Sequence, residues 1–187
     1  MNRAGRWPIE ALLLILALAF GDAAMAQVPE PDAYRIDDYR SPVPLTLKGA
    51  EVVDTTAMVG RRGEFLVIDV LPQTARPPLL APGNVWLPPT HEGIPGAIWL
   101  PNVGFGALPP ALFDYFRDGL REVSGGDRDR PLLFYCRSDC WHSWNAAKRA
   151  LELGYRRVVW YRDGIEGWRD AGQAVEILKP WRDGPPA

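Results

Sequence analysis

The chain has few cysteines and histidines, and its basic residues are balanced by acidic ones. Its 187 residues include two cysteines and two histidines, and the formal net charge is −2. A nearly neutral charge without a run of basic residues gives no sign of a nucleic-acid partner. Two cysteines can form at most one disulfide, so the fold must depend on its apolar core.

A long apolar segment is also missing. The N-terminal apolar run at residues 11–20 has ten residues, whereas about 20 are needed to span a bilayer. Two arginines precede this run, and the small-residue pattern Ala-Met-Ala follows it at residues 24–26. These features predict a signal peptide at residues 1–26, export to the periplasm and no membrane attachment after cleavage. An uncleaved anchor is the alternative.

Proline content divides the remaining chain. Residues 27–48 contain four prolines and predict an extended N-terminal arm without a core of its own. Residues 49–175 predict the folded domain, and residues 176–187 a tail. Within the domain, residues 71–90 form a second proline-rich stretch. A loop of this length is usually functional or mobile.

Apolar runs in the domain alternate with amphipathic segments. Strands are predicted at residues 65–70, 132–135 and 157–161, and helices at residues 111–123 and 143–153. This alternation predicts an α/β fold, in which helices cover both faces of a central, mostly parallel sheet. Sites in such sheets lie at the carboxyl ends of the strands.

Two predicted strands carry candidate site residues at these ends. Asp69 lies at the end of one strand, and Cys136 directly follows another. We expect the Cys136 sulfur to be exposed at the strand tip, where the amides of the next helix lower its pKa. Arg137 and His142 add positive charge, and Asp139 opposes it. The thiolate of Cys136 would then attack a sulfur donor.

Cys140 follows Cys136 by four residues, so a curled loop can bring the two sulfurs together. In one interpretation Cys140 resolves an oxidised or persulfidated Cys136 as a disulfide. A structural disulfide is the second interpretation, although so short a loop gains only about 2 kcal/mol. A metal site with His142 is the third, and it has only three ligands.

Other polar and aromatic residues near this loop allow two interpretations each. Trp141 and Trp144 either form an aromatic lip that stacks on a planar ligand such as a quinone, or belong to the core. Asp69 either supports the loop by hydrogen bonds or transfers a proton. We expect His91, within a proline-rich region, to lie at the surface.

Four segments occur in the order of a known family: Val-Ile-Asp at 67–69, Ile-Pro-Gly-Ala-Ile at 94–98, Tyr-Cys-Arg-Ser at 135–138 and Gly-Ile-Glu-Gly-Trp at 164–168. In these segments the chain resembles the rhodanese-like domain, over roughly residues 49–172. The resemblance implies a rhodanese-like three-layer α/β/α fold with Cys136 and Cys140 as catalytic residues and Asp69 in support. The predicted anion- or substrate-binding loop comprises Arg137, Ser138, Asp139, Trp141, His142 and Ser143.

A longer stretch resembles a narrower branch of this family. The sequence Cys-Arg-Ser-Asp-Cys-Trp at residues 136–141, the Ser-Trp-Asn-Ala-Ala at 143–147 and the arm at 34–47 are similar to exported CXXCW-motif proteins. That branch is associated with catabolism dependent on pyrroloquinoline quinone (PQQ). The resemblance implies a periplasmic accessory role in alcohol oxidation, with a quinoprotein dehydrogenase system or a periplasmic thiol protein as partner and PQQ as an associated cofactor.

Three positions depart from the rhodanese pattern. Trp141 and Leu71 stand where arginines are usual, and Gly93 stands where a histidine is usual. The loss of anion-binding side chains disfavours thiosulfate as the sulfur donor.

Two functions follow as hypotheses. The first is a rhodanese-like protein that uses the cysteine pair for sulfur transfer or thiol–disulfide redox chemistry. The second is a non-catalytic binding module with a structural disulfide, which holds a quinoprotein dehydrogenase or its cofactor through residues 71–90 and the tryptophans.

Overall fold

Short buried strands form the centre of the protein in its computed structural model, which describes residues 27–81 and 83–183. The predicted signal peptide at residues 1–26 lies outside the described residues, as does the end of the predicted tail. In chain order the elements are β1 (Glu51–Val53), α1 (Thr55–Arg61), β2 (Leu66–Asp69), β3 (His91–Gly93), β4 (Ile98–Trp99), α2 (Pro110–Ser124), β5 (Leu132–Tyr135), α3 (Trp141–Glu152), β6 (Val158–Tyr161), α4 (Gly164–Asp170) and β7 (Glu176–Leu178).

The main sheet has five strands in the order β1-β6-β5-β2-β4, and all neighbouring strands are parallel. Strands β3 and β7 form a separate antiparallel pair. The predicted three-layer fold with a mostly parallel sheet is therefore confirmed.

Alternation along the central strand β5 explains the three layers. Leu132 and Phe134 pack in the core cluster that includes residues of α2 and α3. Leu133 and Tyr135 pack in the second cluster, with residues of α1 and α4. Since successive side chains of a strand point to opposite faces, an apolar run of four residues needs cover on both sides.

Strand register brings the predicted site residues to one edge. In the pairing of β2 with β5, Asp69 lies opposite Tyr135. The residue after each strand therefore emerges at the same carboxyl edge of the sheet, as the sequence predicted.

Helix α3 begins earlier than the sequence predicted. Its first residue is Trp141, with Cys140 at the N-cap position, rather than Ser143. Three residues assigned to the anion-binding loop, Trp141, His142 and Ser143, thus form the first turn of the helix. The loop itself is limited to residues 137–139 between Cys136 and the N-cap.

The two ends of the described chain pack against the domain. The arm at residues 27–48 contains no helix or strand, but Leu47 is buried in the core cluster. Strand β7 and the turn at Trp181–Asp183 lie in the segment that the sequence assigned to a tail. Trp181 packs on Tyr115 of α2, with ring centroids 5.1 Å apart.

Two glycines offer a matched test of the packing around this edge. A Cβ atom at Gly93 would lie 2.3 Å from Leu178 Cδ1 and 2.7 Å from the Tyr135 hydroxyl, whereas nothing lies within 4 Å of one at Gly60. We expect Gly93→Ala to lower the free energy of unfolding by about 1–3 kcal/mol through overpacking. Gly60→Ala, within α1, should raise it by up to about 1 kcal/mol. Urea unfolding of both variants measures the difference, and equal midpoints would contradict the packing.

Candidate functional site

Cys136 follows β5 but is not exposed. Its side chain is 1% exposed and belongs to the core cluster. The thiol donates to Ser143 Oγ at 3.2 Å and faces the Cys140 carbonyl oxygen at 3.4 Å. The prediction of an exposed sulfur at the strand tip is wrong because α3 begins at Trp141 and its first turn covers the end of the strand.

Ser143 is a hydrogen-bond partner of the Cys136 thiol. The Ser143 hydroxyl donates to the Cys140 carbonyl at 3.3 Å and accepts from Trp160 Nε1 at 3.0 Å. The Ser143 hydroxyl proton is therefore already in a hydrogen bond, and the Ser143 oxygen accepts the hydrogen bond that Cys136 donates. Burial raises the pKa of the Cys136 thiol well above its ordinary value. The predicted acidification of Cys136 is also wrong.

Cys140 is the more acidic of the two thiols. A hydrogen bond from the Cys136 side chain lowers the pKa of Cys140, and His142 adds a hydrogen bond and charge, which together outweigh burial. The Cys140 sulfur lies 3.5 Å from His142 Nδ1. Its N-cap position on α3 also favours a negative charge. The thiolate of this pair is therefore on Cys140.

Both cysteines are free thiols, and the Cys136 sulfur lies 3.4 Å from the Cys140 carbonyl oxygen. The loop therefore packs Cys136 against the backbone of Cys140. Cys140 is as buried as its partner, with 2% of its surface exposed.

His142 lies in an aromatic clamp beside Cys140. The Tyr39 ring stacks on the imidazole with centroids 4.3 Å apart, and Phe105 meets it edge-on at 4.9 Å. The Nε2 atom is buried without a hydrogen-bond partner. Gly104 allows this close packing, because a Cβ atom there would lie 2.4 Å from His142 Cβ.

The predicted anion-binding loop is occupied by a carboxylate of the same chain. Ser138 N donates to Glu166 Oε2 at 3.0 Å, and Arg137 Nε donates to Glu166 Oε1 at 2.5 Å. Asp139 adopts a left-handed conformation, with φ of 46°, at the turn into the helix. The loop amide and guanidinium that would bind an external anion are therefore already paired.

Asp69 supports the edge of the sheet. Its carboxylate accepts from Leu71 N at 2.8 Å and pairs with His91 Nε2 at 2.8 Å. The His91 side chain is 11% exposed and packs on Trp99, so the expectation of a surface histidine is wrong. The interpretation of Asp69 as a hydrogen-bonding residue fits these contacts, and none of them joins it to a cysteine.

The tryptophans of α3 are core residues. Trp144 is fully buried and Trp141 is 3% exposed, and the two rings meet edge-to-face at 5.4 Å. The indole N–H of Trp141 donates to Ser41 Oγ at 3.1 Å. The indole rings therefore form no open aromatic lip, and the arm covers them.

A cavity of about 400 Å³ opens at this edge of the sheet. His91, Arg137 and Arg169 line it, but neither cysteine does. Its arginines are paired, since Arg169 lies 2.7 Å from Glu92 and Arg137 binds Glu166. The cavity is thus separate from the sulfurs.

Sequence reasoning missed three residues that shape the site. Glu166 fills the loop, and Asn145, fully buried on α3, binds the arm and the Gly104 carbonyl. Arg149, 4% exposed, donates to the carbonyl oxygens of Val103, Phe105 and Gly106 and so holds the segment that covers His142. Polar residues on the apolar face of a predicted helix were the available signal for Asn145 and Arg149.

No group of three or more His, Cys, Asp or Glu side chains within residues 27–81 and 83–183 has the arrangement of a metal site. In the same ranges, no helix has the length and apolar character needed to cross a membrane.

Several solved structures align with this chain at low sequence identity. A thiosulfate sulfurtransferase from Pseudomonas aeruginosa aligns with a TM-score of 0.47 and 18% identity, over 74% of this chain and 22% of its own. The Alr3790 protein from Anabaena sp. aligns with a TM-score of 0.44 and 16% identity, over 67% of this chain and 80% of its own. The polysulfide-sulfur transferase homodimer from Wolinella succinogenes aligns with a TM-score of 0.39 and 16% identity, over 68% of this chain and 79% of its own. This chain thus spans about a fifth of the Pseudomonas protein.

A comparison with curated proteins found no match. The model of the Rhodanese-like domain matches residues 55–171, which include β2, the cysteine loop and the first turn of α3. Three residues rather than two separate the cysteines, so the chain departs by one residue from the CXXCW spacing. By the match over most of its folded part, the chain belongs to the Rhodanese-like domain family.

Proposed function

We propose that the Cys136–Cys140 pair is a thiol–disulfide exchange centre built on a rhodanese-like domain. The observation that carries this proposal is the packing of Cys136 against Cys140 at the start of α3, where Cys140 lies at the N-cap position with its sulfur 3.5 Å from His142 Nδ1 and has a lowered pKa. Cys140 is the attacking residue and Cys136 the resolving one, which reverses the order expected from the sequence.

In the proposed exchange, a substrate disulfide oxidises the cysteine pair and is itself reduced to two thiols. The Cys140 thiolate attacks one sulfur of the substrate disulfide, forming a mixed disulfide while the second substrate sulfur leaves as a thiolate. Cys136 then gives up its proton, which the leaving thiolate accepts, and attacks the Cys140 sulfur. A Cys136–Cys140 disulfide forms and the second substrate thiolate is released, so the substrate gains two electrons and the cysteine pair loses them.

Anionic sulfur donors fit this site poorly. The Glu166 carboxylate already binds the Ser138 amide and the Arg137 guanidinium. A thiosulfate dianion would have to displace it or lie beside a like charge. This contact adds to the missing arginines at positions 71 and 141 and favours exchange over thiosulfate transfer.

Access to the sulfurs requires movement of the arm. Residues 34–41 lie over the start of α3, where Tyr39 covers His142 and Ser41 covers Trp141. This segment contains no helix or strand. Surface segments without helix or strand open more readily than the core, so the proposed reaction proceeds from a locally opened state.

Export and the biological setting are part of the proposal. The resemblance to exported CXXCW-motif proteins supports a periplasmic location and a role beside PQQ-dependent alcohol oxidation. An oxidising compartment is where a cysteine pair meets disulfide substrates.

A non-catalytic binding role is the second candidate. It is favoured by the proline-rich loop at residues 71–90, where Leu79, Val85 and Leu87 are at least 79% exposed. Exposed apolar side chains grouped in one loop are typical of a docking surface. In this case the cysteines would remain inert toward disulfides while the loop holds a partner.

The thiolate assignment predicts a specific titration. The native protein should show the ultraviolet absorbance of one thiolate at neutral pH, since Cys140 has a lowered pKa and Cys136 a raised one. Cys140→Ser should abolish this absorbance. Cys136→Ala should keep it but shift its midpoint to higher pH, because the Cys136 side chain makes the largest contribution to the lowered pKa of Cys140. Loss of the signal in Cys136→Ala but not in Cys140→Ser would assign the charge to the other sulfur.

The order of attack predicts which variant traps the substrate. Cys136→Ser should accumulate a mixed disulfide on Cys140 when treated with an excess of a small disulfide, because the resolving thiol is absent. The reduced wild-type protein should lose two hydrogen atoms, and Cys140→Ser should stay unmodified. Intact-mass spectrometry distinguishes these products. Trapping on Cys136 would reverse the assignment, and an inert wild-type protein would favour the binding role.

A further inference from the structure

We propose that the surface beneath the arm is a binding groove for an extended polypeptide with an aromatic side chain, and that residues 34–41 occupy it in place of a partner. The groove is defined by Phe105, Trp141, His142 and Asn145. The inference rests on the proposed function, because it names the substrate class as a disulfide carried by a polypeptide.

Asn145 recognises main-chain atoms of the arm. Its Oδ1 accepts from Arg35 N at 3.0 Å, and its Nδ2 donates to the Arg35 carbonyl at 2.8 Å. A second hydrogen of Nδ2 goes to the Gly104 carbonyl at 2.9 Å, which fixes the orientation of the amide. An amide that pairs with the N–H and C=O of one residue places no demand on that residue's side chain, so it accepts peptides of varied sequence.

A second main-chain bond lies four residues further along the arm. Trp141 N, at the start of α3, donates to the Tyr39 carbonyl at 2.9 Å. Amides at a helix N-terminus have no partner within the helix, so an incoming chain satisfies this one. The two anchor points, at residues 35 and 39, define the direction and the length of a bound segment.

Between Phe105 and His142 the groove has a slot for an aromatic ring. Tyr39 stacks on His142 at 4.3 Å and meets Phe105 edge-on at 5.4 Å. Its hydroxyl accepts from Gly106 N at 3.1 Å. The Nδ1 atom at the edge of the His142 ring lies 3.5 Å from the Cys140 sulfur, so an occupant of this slot packs on the residue that contacts the thiolate. A bound polypeptide would therefore present its neighbouring residues to the reactive sulfur.

The arm is suited to leave this groove. Asp38 turns the arm with φ of 38°, a left-handed conformation. Ile36 is 70% exposed, and Leu47, further along the chain, is buried in the core cluster. Arg40 and Ser41 add one hydrogen bond each, to the Ser138 carbonyl and to Trp141. Residues 34–41 can therefore detach while Leu47 stays in the core.

Peptide binding to the full chain tests the groove. The probe is a fluorescent synthetic peptide with the sequence of residues 34–41, and the protein variant is Tyr39→Ala, which empties the slot. We expect the peptide to bind this variant at least about tenfold more tightly than the wild type, whose own arm competes. A peptide with alanine at the position of Tyr39 should bind at least about tenfold more weakly. Fluorescence anisotropy measures both.

One control variant and a second variant that weakens the contacts of the arm complete the test. Ile36→Ala alters an exposed arm residue and should behave as the wild type. The double variant Arg40→Ala, Ser41→Ala keeps Tyr39 but removes two arm contacts, and should also gain peptide binding. Absence of saturable binding to both loosened variants, each with a cooperative thermal transition, would overturn the proposal. So would equal binding of the peptide without its tyrosine.

Two further measurements separate the alternatives. A wild-type dimer in size-exclusion chromatography that Tyr39→Ala dissociates would assign the groove to the arm of a second copy and reject the proposal. Peptide binding does not use the sulfurs, so it should persist when Cys140→Ser is added to Tyr39→Ala. Binding with cysteines that are inert toward disulfides would reject the exchange function and retain the groove, whereas exchange without binding would reject the groove alone.

Discussion

The position at which α3 begins determines the burial and the hydrogen-bond partners of both sulfurs. Because the helix starts at Trp141, directly after Cys140, its first turn folds over the end of β5 and buries Cys136. Ser143 then lies close enough to accept the Cys136 proton, and His142 lies beside Cys140. If the helix began two residues later, the loop would be longer, and the Cys136–Ser143 and Cys140–His142 hydrogen bonds would not form.

Burial changes the chemistry of the family's loop in this chain. In water each thiol would titrate independently, but two thiols in a dry site cannot both be charged, since the second charge would be close to the first. The proton stays on the sulfur that faces acceptors, and the charge stays on the sulfur at the helix N-terminus. Glu166 fills the remaining anion position of the loop. This arrangement supports the proposed exchange between neutral sulfur compounds and disfavours capture of an external dianion.

Closure by the arm follows from the same geometry. A buried thiolate is costly, and Tyr39, Phe105 and Trp141 exclude water from it. A partner that inserts its own chain in place of the arm would keep water out while bringing a sulfur in. Protection of the thiolate and recognition of a substrate then use one surface, the groove over α3.

Local sequence patterns predicted the parallel sheet and the helices that cover it. The apolar runs at β2, β5 and β6, the proline that starts α2 and the glycine that ends it predicted a parallel sheet between helices, because these features act within a few residues. The placement of Cys136 after a central strand also followed from the sequence. The antiparallel pair of β3 with β7 was not predictable, since its short strands lie more than 80 residues apart and carry no periodic pattern.

What the sequence by itself determined is the sheet edge at which Asp69 and Cys136 lie. Only the tertiary structure decided which sulfur is charged, which carboxylate fills the loop and what covers the site. The physical reason is that these properties depend on burial and on contacts between distant residues. Arg35 with Asn145 and Ser41 with Trp141 are at least 100 positions apart, and Ser138 with Glu166 is 28 positions apart. The pKa of a thiol and the closure of a groove depend on contacts between such distant residues, and a local sequence pattern does not predict these contacts.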